Sequence, residues 1–500
     1  MNVKISTLMM SLLMPALGFS AEYHVSVNGA GAKDGSSWEN AIDFASFYAK
    51  VNDYTNGDTF YFSGGTYYAV SPTPTAITNG YTFIGGFAPT STGTDHATPT
   101  YPSATPTIFS GDCNRNGVPD EADASRFLAL KTDTKDSSKP FVIQGIEFTE
   151  AYDATSTKTH GALQLNNCGD VTVKQCRFYN NTTDAAGYGG MAITSYRSSL
   201  YLLDSEITHN SAVQRGGAIY VHVDGTTYTK GYTVIERCLI ADNKVTDASL
   251  PLGSAICYTH GPALWIVNST ITGNESASGG AVFINGADTN WKRVLNVVGS
   301  TIAGNIGGNQ IASTQGAVMH IANSYIVGHE DDGTTAKAAI AVTGATESNL
   351  FELTSKGYNI IGGYANALTN ATLVPTWDAT DSQNENNIYS TVFGTNILTD
   401  GVISPVVKTA GATGSALVSA LAEYDLATAR ANLTVDQLGT ARETGMTAGA
   451  YAVNVTTGIH KVENPAKASI KGCYTLAGSI IDNPIQPGIY IVNGKKRIVK

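Results

Sequence analysis

Cys238-Leu-Ile-Ala-Asp-Asn243, Ser269-Thr-Ile-Thr-Gly-Asn274 and Ser300-Thr-Ile-Ala-Gly-Asn305 are three copies of one short motif. Each copy has a small residue, a spacer, an apolar residue, two spacers and an asparagine. Two earlier copies occur at Cys176-Arg-Phe-Tyr-Asn-Asn181 and Ser205-Glu-Ile-Thr-His-Asn210. The asparagines of successive copies are separated by 29, 33, 31 and 31 residues, so this region is a repeat array.

A glycine-rich motif separates these copies. It reads Gly216-Gly-Ala-Ile219, Gly253-Ser-Ala-Ile256 and Gly279-Gly-Ala-Val282, with looser versions at Gly189 and Gly316. Both motifs lie in short apolar runs with alternation, which are typical of β-strands. A period of about thirty residues with two or three short strands indicates a solenoid whose equivalent strands pair in parallel at ~4.8 Å. We therefore predict an all-β fold.

The motif asparagines are predicted to form a structural ladder, because equal positions stack from coil to coil and buried asparagines hydrogen-bond along such a stack. We expect each of them at a tight turn, where Asn tolerates the left-handed conformation. The ladder consists of Asn181, Asn210, Asn243, Asn274 and Asn305.

The cysteines of the motif are predicted to be free and buried. Cys176 and Cys238 share the small-residue position with Ser205 between them, and two coils span about 9–10 Å. This separation is too long for a disulfide.

The alternation of FxxN-like and GGAI-like motifs over about residues 160–330 resembles the repeats of the polymorphic outer membrane proteins, a family of bacterial surface adhesins and autotransporters. The resemblance implies a right-handed parallel β-helix. We find no counterpart of that family's C-terminal autotransporter barrel in this sequence, so its export route is not carried over.

Both ends of the solenoid are predicted to be capped, because end coils expose apolar core and unpaired strand edges. Ser37 is expected to N-cap an amphipathic helix from about Trp38 to Val51. The segment from Asp436 to Arg442 resembles the closing segment of choice-of-anchor β-helix proteins, with Leu438 where Arg is usual. The solenoid is thus predicted to span residues 21–452.

Both termini predict export. Residues 1–20 have the basic Lys4, a short apolar run, and Gly18 and Ser20 as the small residues of a signal peptide cleaved before Ala21. Residues 453–500 are predicted to form a small β module resembling the C-terminal sorting module of Bacteroidetes, associated with the type IX secretion system; a plain β-sandwich tail is the alternative. The predicted location is extracellular or at the outer-membrane surface. No later stretch has the ~18 apolar residues of a spanning helix.

One segment, residues 112–123, has the spacing of a calcium-binding loop. Oxygen ligands at positions 1, 3 and 5 surround a hard cation, Gly117 at position 6 permits the sharp turn, and a backbone carbonyl and a last carboxylate complete the set. The predicted ligands are Asp112, Asn114, Asn116, Val118, Asp120 and Asp123. The segment resembles dockerin and thrombospondin type 3 loops, which implies a structural Ca²⁺. An Asp- and Asn-rich turn without an ion is the alternative.

Two classes of function remain open. The net charge of −11 argues against a nucleic-acid partner. Tyr accounts for 25 of the aromatic residues, which suits contacts with sugars or proteins. We favour a non-catalytic adhesin or binding module, monomeric, whose partner is a glycan or a surface protein.

The alternative is a polysaccharide lyase or glycoside hydrolase acting on acidic polysaccharide. Such an enzyme needs carboxylates and a basic residue in one groove. The acidic cluster at residues 329–332 is predicted to be a solvated turn, and the histidines His222, His260 and His320 lie at unequal repeat positions. No catalytic residue is therefore assigned.

Overall fold

The computed structural model describes residues 20–97, 99–132, 139–154, 161–187, 189–223, 231–249, 252–285, 293–314, 317–328, 338–343, 352–366, 375–394 and 398–455, and four strands between residues 473 and 499. The predicted signal peptide (apart from Ser20) and the acidic cluster at 329–332 lie outside these residues. The chain divides into two compact units, Met1–Val455 and Thr456–Lys500.

Three long parallel sheets, named A, B and C, form the walls of the described part of the first unit. In spatial order, sheet A contains Ile42–Asp43, Glu22–Ser26, Thr59–Ser63, Thr82–Phe87, Phe141–Gln144, Asp170–Lys174, Ser199–Leu203, Thr233–Glu236, Ala263–Val267, Arg293–Val298, Ala317–Ala322 and Glu352–Ser355. Sheet B contains Gly65–Tyr68, Thr107–Ser110, Ile146–Thr149, Arg177–Tyr179, Glu206–Thr208, Leu239–Ala241, Thr270–Thr272, Thr301–Ala303, Tyr325–Val327, Ile360–Ile361 and Ser382–Gln383. Sheet C contains Ala76–Ile77, Leu128–Lys131, Leu163–Asn166, Ile193–Tyr196, Ile219–His222, Ile256–His260, Val282–Asn285, Ile311–Thr314, Ile340–Thr343 and Tyr364–Asn366.

A short fourth sheet, sheet D, lies after sheet B in four successive coils. Its strands are Tyr152–Asp153, Thr182–Thr183, Ser211–Ala212 and Lys244–Val245. Each coil therefore passes through sheets A, B and C in order, with a corner between them, and pairs in parallel with the next coil.

The apolar residue of the repeat motif forms the core of sheet B. Its copies pair in strict register and are fully buried: Phe178, Ile207, Ile240, Ile271 and Ile302. Because side chains alternate across a strand, one inward residue per two positions is enough to fill the narrow interior.

The N-terminal end is covered by a helix that is shorter than predicted. Trp38–Asn40 is a 3₁₀ turn and the α-helix spans only Phe44–Ala49; Ser37 makes no side-chain capping hydrogen bond, so that expectation was wrong. Between them, Ile42–Asp43 pairs with Glu22–Ser26 as the edge of sheet A, and this strand pairing takes the place of the helix. The Asp43 carboxylate then caps the helix by accepting from the backbone N–H of Ser46 at 2.9 Å.

The last part of the first unit folds back over the outer faces of sheets A and B. It contains the helices Tyr389–Phe393, Gly414–Leu421 and Leu426–Ala429 and an antiparallel pair of strands, Leu398–Thr399 and Val402–Ile403. The second of these helices buries Leu417 and Leu421 against Trp265 of sheet A. Phe393 of the first helix packs on Tyr325 of sheet B. The outer faces of the later coils are therefore covered by the chain itself.

The second unit contains an antiparallel sheet. Its described strands, in spatial order, are Ile480–Ile481, Cys473–Thr475, Gly488–Val492 and Lys495–Val499.

Candidate functional site

The five motif asparagines lie in one hydrogen-bonded column. Each side-chain amide nitrogen donates to the Oδ1 atom of the next asparagine at 2.8–2.9 Å, from Asn181 to Asn305. The last one donates to Oε1 of Gln310 at 2.7 Å. All five side chains are at most 1% exposed. The column thus satisfies buried polar groups along the solenoid axis, which is a structural role.

The left-handed residue of each corner is not the asparagine, and that expectation was wrong. The positive φ angles fall one position earlier, at Asn180, His209, Asp242, Gly273 and Gly304. The first three of these side chains are exposed, so the corner accepts several residue types. The asparagine itself points inward, where its amide must face the next coil.

The small-residue position forms a second column. The backbone N–H of Cys176 donates to Oγ of Ser205 at 3.1 Å, and that of Cys238 donates to Oγ of Ser269 at 3.1 Å. Both cysteines are fully buried free thiols, as predicted. Burial raises the pKa of the Cys176 thiol to about 12, so this thiol is unreactive at neutral pH.

The predicted calcium loop contains several hydrogen bonds between its own residues. The Asp112 carboxylate accepts from the backbone N–H of Gly117 at 2.9 Å, and the side-chain amides of Asn114 and Asn116 donate to Oδ2 of Asp120 at 2.9 and 2.7 Å. Val118 is exposed. Several predicted ligands therefore face one another across the loop.

Asp123 has the least satisfied carboxylate of this loop. Its Oδ1 atom is buried and has no hydrogen-bond partner, although Oδ2 accepts from the Asp120 N–H at 3.0 Å. Burial raises the pKa of Asp123, and repulsion from Asp120 and Asp112 adds to the rise. A cation would relieve both effects. However, no group of three His, Cys, Asp or Glu side chains is arranged to hold a metal ion anywhere in the described residues.

An open cleft of about 330 Å³ lies on the outer face of sheet A, between three of its strands and the segment at residues 429–432. Its lining combines hydroxyl, amide and charged side chains with two apolar ones: Thr172, Tyr201, Leu203, Glu236, Arg237, Ala429, Arg430 and Asn432. We name it the sheet A cleft.

Arg237 joins two carboxylates at one side of the sheet A cleft. Its Nε and Nη2 atoms donate to Oδ1 and Oδ2 of Asp204 at 2.6 and 3.0 Å, and Nη1 donates to Oε1 of Glu236. Asp204 and Arg237 are successive corner residues, both with positive φ, so stacking of the coils brings opposite charges together.

Arg430 covers the opposite side. Its guanidinium carbon lies 4.6 Å from the ring centroid of Tyr201, in cation–π geometry, and Nη2 donates to Oδ2 of Asp170 at 2.8 Å. The Arg430 side chain is 60% exposed, so this ion pair contributes little to stability and a ligand can compete for the guanidinium.

Glu236 is the most perturbed carboxyl group of the cleft. It is 3% exposed, and its Oε2 atom accepts from the backbone N–H of Asn432 at 3.3 Å. Burial raises the pKa of Glu236, and the attraction of Arg237 offsets only part of that rise. A buried carboxyl group with a raised pKa in a cleft is a candidate functional group for binding or for acid–base chemistry.

The three histidines do not form a site together, but His222 and His260 pair in register in neighbouring coils, so the expectation of unequal repeat positions was wrong for these two. His222 and His260 lie on sheet C with ring centroids 4.5 Å apart, and Nδ1 of His222 is 2.9 Å from Oγ1 of Thr259. His320 is on sheet A, where its ring stacks on Tyr424 at 3.8 Å.

The closing segment is a clamp on the solenoid. Arg442 is 3% exposed and donates from Nη2 to the backbone oxygens of Gly299 and Gly449 at 2.9 and 2.7 Å and to Oδ1 of Asn268 at 2.9 Å. Asp436 is fully buried and accepts backbone N–H groups of its own turn. The residues of this motif thus fix the returning chain to the corners of sheet A.

Sequence reasoning missed the sheet A cleft. The opposite charges of Asp204 and Arg237 at one repeat position were a usable signal, because equal positions stack. Arg430 had no such signal, since it is 260 residues from its partner Asp170 and lies outside the repeats.

Stacked parallel coils with three walls and internal ladders define a parallel β-helix. A family model described as a right handed beta helix region matches residues 161–371, and the fold is a right-handed parallel β-helix. The crystal structure of pectate lyase Pel9A is similar over 88% of this chain and 90% of its own, with 11% sequence identity and a TM-score of 0.33. No curated protein matches the chain. Among the described residues, no helix has the length and apolarity to cross a membrane.

Proposed function

We propose that this chain is an exported, monomeric cell-surface protein that binds a glycan in the sheet A cleft without cleaving it. The observation that carries the proposal is the engagement of the cleft carboxylates. Asp204 and Glu236 both face Arg237, and Asp170 faces Arg430. A general acid or base must reach a substrate proton, whereas these groups are directed at guanidinium groups.

The remaining lining groups suit a sugar. Arg430, Asn432 and Thr172 supply hydrogen-bond donors and acceptors at the open side of the cleft. Ligand sites commonly combine an apolar surface with a few placed polar groups, and Leu203 supplies an apolar part here.

The charge of the cleft favours an uncharged glycan. Two guanidinium groups face three carboxylates: Arg237 and Arg430 against Asp170, Asp204 and Glu236. Two charged groups on adjoining elements, Lys174 in register with Leu203 and Asp425 bonded to Tyr232, add one charge of each sign. Even with Glu236 protonated, the net charge of these groups is zero. No positive surplus attracts an acidic polysaccharide.

Polygalacturonan and its carboxyl-reduced form, two polymers that differ only in charge, test this proposal. We expect binding to carboxyl-reduced polygalacturonan, a neutral galactan, or to another neutral glycan of an array, with no shortening of the chains. Failure to bind any glycan contradicts the proposal. Binding restricted to acidic polymers keeps a glycan function and contradicts the charge argument.

Two matched variants locate the site. Arg430→Gln removes an exposed, ion-paired cation of the cleft, and Lys244→Gln removes an exposed cation paired with Glu275 at 2.9 Å on sheet D. We expect Arg430→Gln to weaken glycan binding at least tenfold and Lys244→Gln to leave it unchanged. Equal affinities of both variants and the unmodified protein place the binding site elsewhere.

A polysaccharide lyase or glycoside hydrolase is the second candidate. The raised pKa of Glu236 beside Arg237 favours it, because a carboxyl and a guanidinium share one cleft. Assays for reducing ends and for unsaturated products on acidic polysaccharides test it. If the protein cleaves such a polysaccharide and Glu236→Gln abolishes the cleavage, the enzymatic proposal replaces the binding proposal.

We also propose that the loop at residues 112–123 holds a structural Ca²⁺. The ligand spacing and the unpartnered Asp123 Oδ1 support it. Calorimetry is expected to give a Kd of about 10⁻⁴–10⁻³ M, as in extracellular modules. Asp123→Asn should abolish the binding heat and the exposed control Asp34→Asn should retain it. The absence of Ca²⁺ binding in the unmodified protein contradicts the proposal.

Residues 453–500 are proposed to direct surface display. Deleting residues 455–500 is expected to leave the β-helix folded and to remove the protein from the cell surface. Unchanged display contradicts this role.

A further inference from the structure

The backbone N–H of Ala21 is hydrogen-bonded to a buried carboxylate. It donates to Oδ1 of Asp58 at 2.8 Å, while the backbone N–H of Thr55 donates to Oδ2 at 2.8 Å. Asp58 is 1% exposed. The carbonyl of Ala21 accepts from the N–H of Thr59 at 2.9 Å, so Ala21 is already fixed as the lead-in to the strand Glu22–Ser26.

Asp58 lacks a positive partner in this arrangement. Its hydrogen-bond donors are neutral backbone groups, and no Lys, Arg or His of the described chain forms an ion pair with it. The described titratable groups whose pKa its charge helps to raise are Tyr23, Tyr54 and Tyr81, none of which is a cation. Burying an ionised carboxylate is costly unless it is paired.

We propose that cleavage of the Ser20–Ala21 bond supplies the missing charge and completes the first coil. Hydrolysis by a signal peptidase adds one water across the C–N bond, leaving a carboxylate on Ser20 and an ammonium on Ala21. That ammonium takes the place of the amide N–H beside Oδ1 of Asp58 and forms a charge-assisted hydrogen bond. Ser20 is exposed, so the bond to be cleaved is adjacent to the surface.

The position of the cleavage matters because the acceptor is fixed. One additional residue moves the terminal ammonium by as much as ~3.6 Å and restores a neutral amide at Ala21. One residue fewer removes the donor. Ala21 is therefore the terminus that matches Asp58, and leader removal stabilises the folded protein as well as releasing it.

Three chains that differ by single residues test the proposal. They begin at Ser20, Ala21 and Glu22, and each is released from a fusion protein by a protease that leaves no extra residue. We expect the Ala21 chain to have a Tm about 2–4 °C above the other two. We also expect its amides in Glu22–Ser26 and Thr59–Ser63 to exchange hydrogen at least tenfold more slowly. Equal behaviour of the Ser20 and Ala21 chains overturns the proposal.

Two further measurements, on Asp58→Asn chains and as a function of pH, distinguish an effect of the ion pair from an effect of chain length. In Asp58→Asn chains the advantage of the Ala21 start should disappear, and its persistence overturns the proposal. The α-amino group has a reference pKa of about 7.7–8.0, which pairing with a carboxylate raises. The advantage should therefore be complete at about pH 7 and should disappear as the pH rises through the raised pKa. An advantage unchanged at pH 11, or an exported protein that begins at another residue, also contradicts the proposal.

Discussion

At the residue scale, the asparagine column explains why one residue type recurs through the array. Each Asn side chain donates to the coil before it and to the neighbouring asparagine, and it accepts from the backbone N–H of the asparagine in the preceding coil. Asn243 donates to the carbonyls of Ile207 and Ala241 and to Asn274, and its Oδ1 atom accepts from the backbone N–H of Asn210. A side chain without both amide functions leaves buried groups unpaired.

Asn243→Ala is expected to destabilise the protein by about 3–5 kcal/mol, because unpaired buried polar groups cost about 1–3 kcal/mol each. Urea denaturation followed by circular dichroism measures the change. The control is Asn386→Ala, an exposed Asn that should change stability by less than about 0.5 kcal/mol. A loss below 1 kcal/mol for Asn243→Ala is incompatible with a stabilising column.

At the element scale, the returning segment is held on sheet A by a few polar contacts. Arg442 fixes its end to the corners at Asn268 and Gly299. Burial lowers the pKa of Arg442 to about 10, with Asp436 nearby partly opposing the effect, and the guanidinium stays protonated at neutral pH. This clamp also places Arg430 over the cleft, since both belong to the same returning segment.

Arg442→Met is expected to cost about 3 kcal/mol and to open the segment at residues 389–452 to proteolysis. Hydrogen bonds of a charged group contribute about 1.5–3 kcal/mol each, and the substitution leaves several buried acceptors without their donor. Arg442→Lys should rescue only part of the loss, because one ammonium cannot span all the acceptors. Lys244→Gln is the exposed control. A protease-resistant Arg442→Met protein of unchanged stability contradicts the clamp.

His320, whose ring stacks on Tyr424, is expected to make the same segment sensitive to acid. Burial, with the nearby Lys356, lowers the pKa of His320 to about 4, while Glu352 and Glu423 oppose the shift. Below about pH 6.5 the unfolded chain binds the proton first. Stability from this group is therefore present above pH 6.5 and is lost as the pH falls toward 4, by at most about 1.4 kcal/mol per unit.

His320→Gln should flatten the stability profile between pH 6.5 and 4. Unfolding free energies at half-unit intervals measure the effect, and Asn386→Ala should keep the slope of the unmodified protein. An identical slope in His320→Gln assigns the acid sensitivity to other groups.

At the scale of the whole molecule, periodicity decided what was predictable. The repeat spacing predicted parallel coils, the asparagine column and the buried free cysteines of the motif, because a short period constrains every copy alike. The N-terminal helix was predicted too long, since Ile42–Asp43 reads equally well as part of an amphipathic helix until its pairing with Glu22–Ser26 is known. The cleft was not predicted, because Arg430 and Asn432 reach sheet A by a return of the chain that no local pattern encodes.

The same architecture accounts for the composition. Charged residues are only 14% of the chain, and Gly is frequent with 52 copies. The interior accepts stacked apolar and amide side chains, and corners such as Gly273 and Gly304 adopt positive φ. Charged side chains are therefore scarce in the stacked interior, and on the outer face stacking pairs opposite signs, as between Asp204 and Arg237.

The proposed function depends on the binding of an intact glycan in the sheet A cleft. Hydrogen exchange measured by mass spectrometry, with and without a neutral glycan selected by array, tests it most directly. We predict protection confined to residues 170–174, 199–204, 233–237 and 429–432, with the mass of the glycan unchanged after incubation. Protection elsewhere with none in these segments, or recovery of a shortened glycan, contradicts the account.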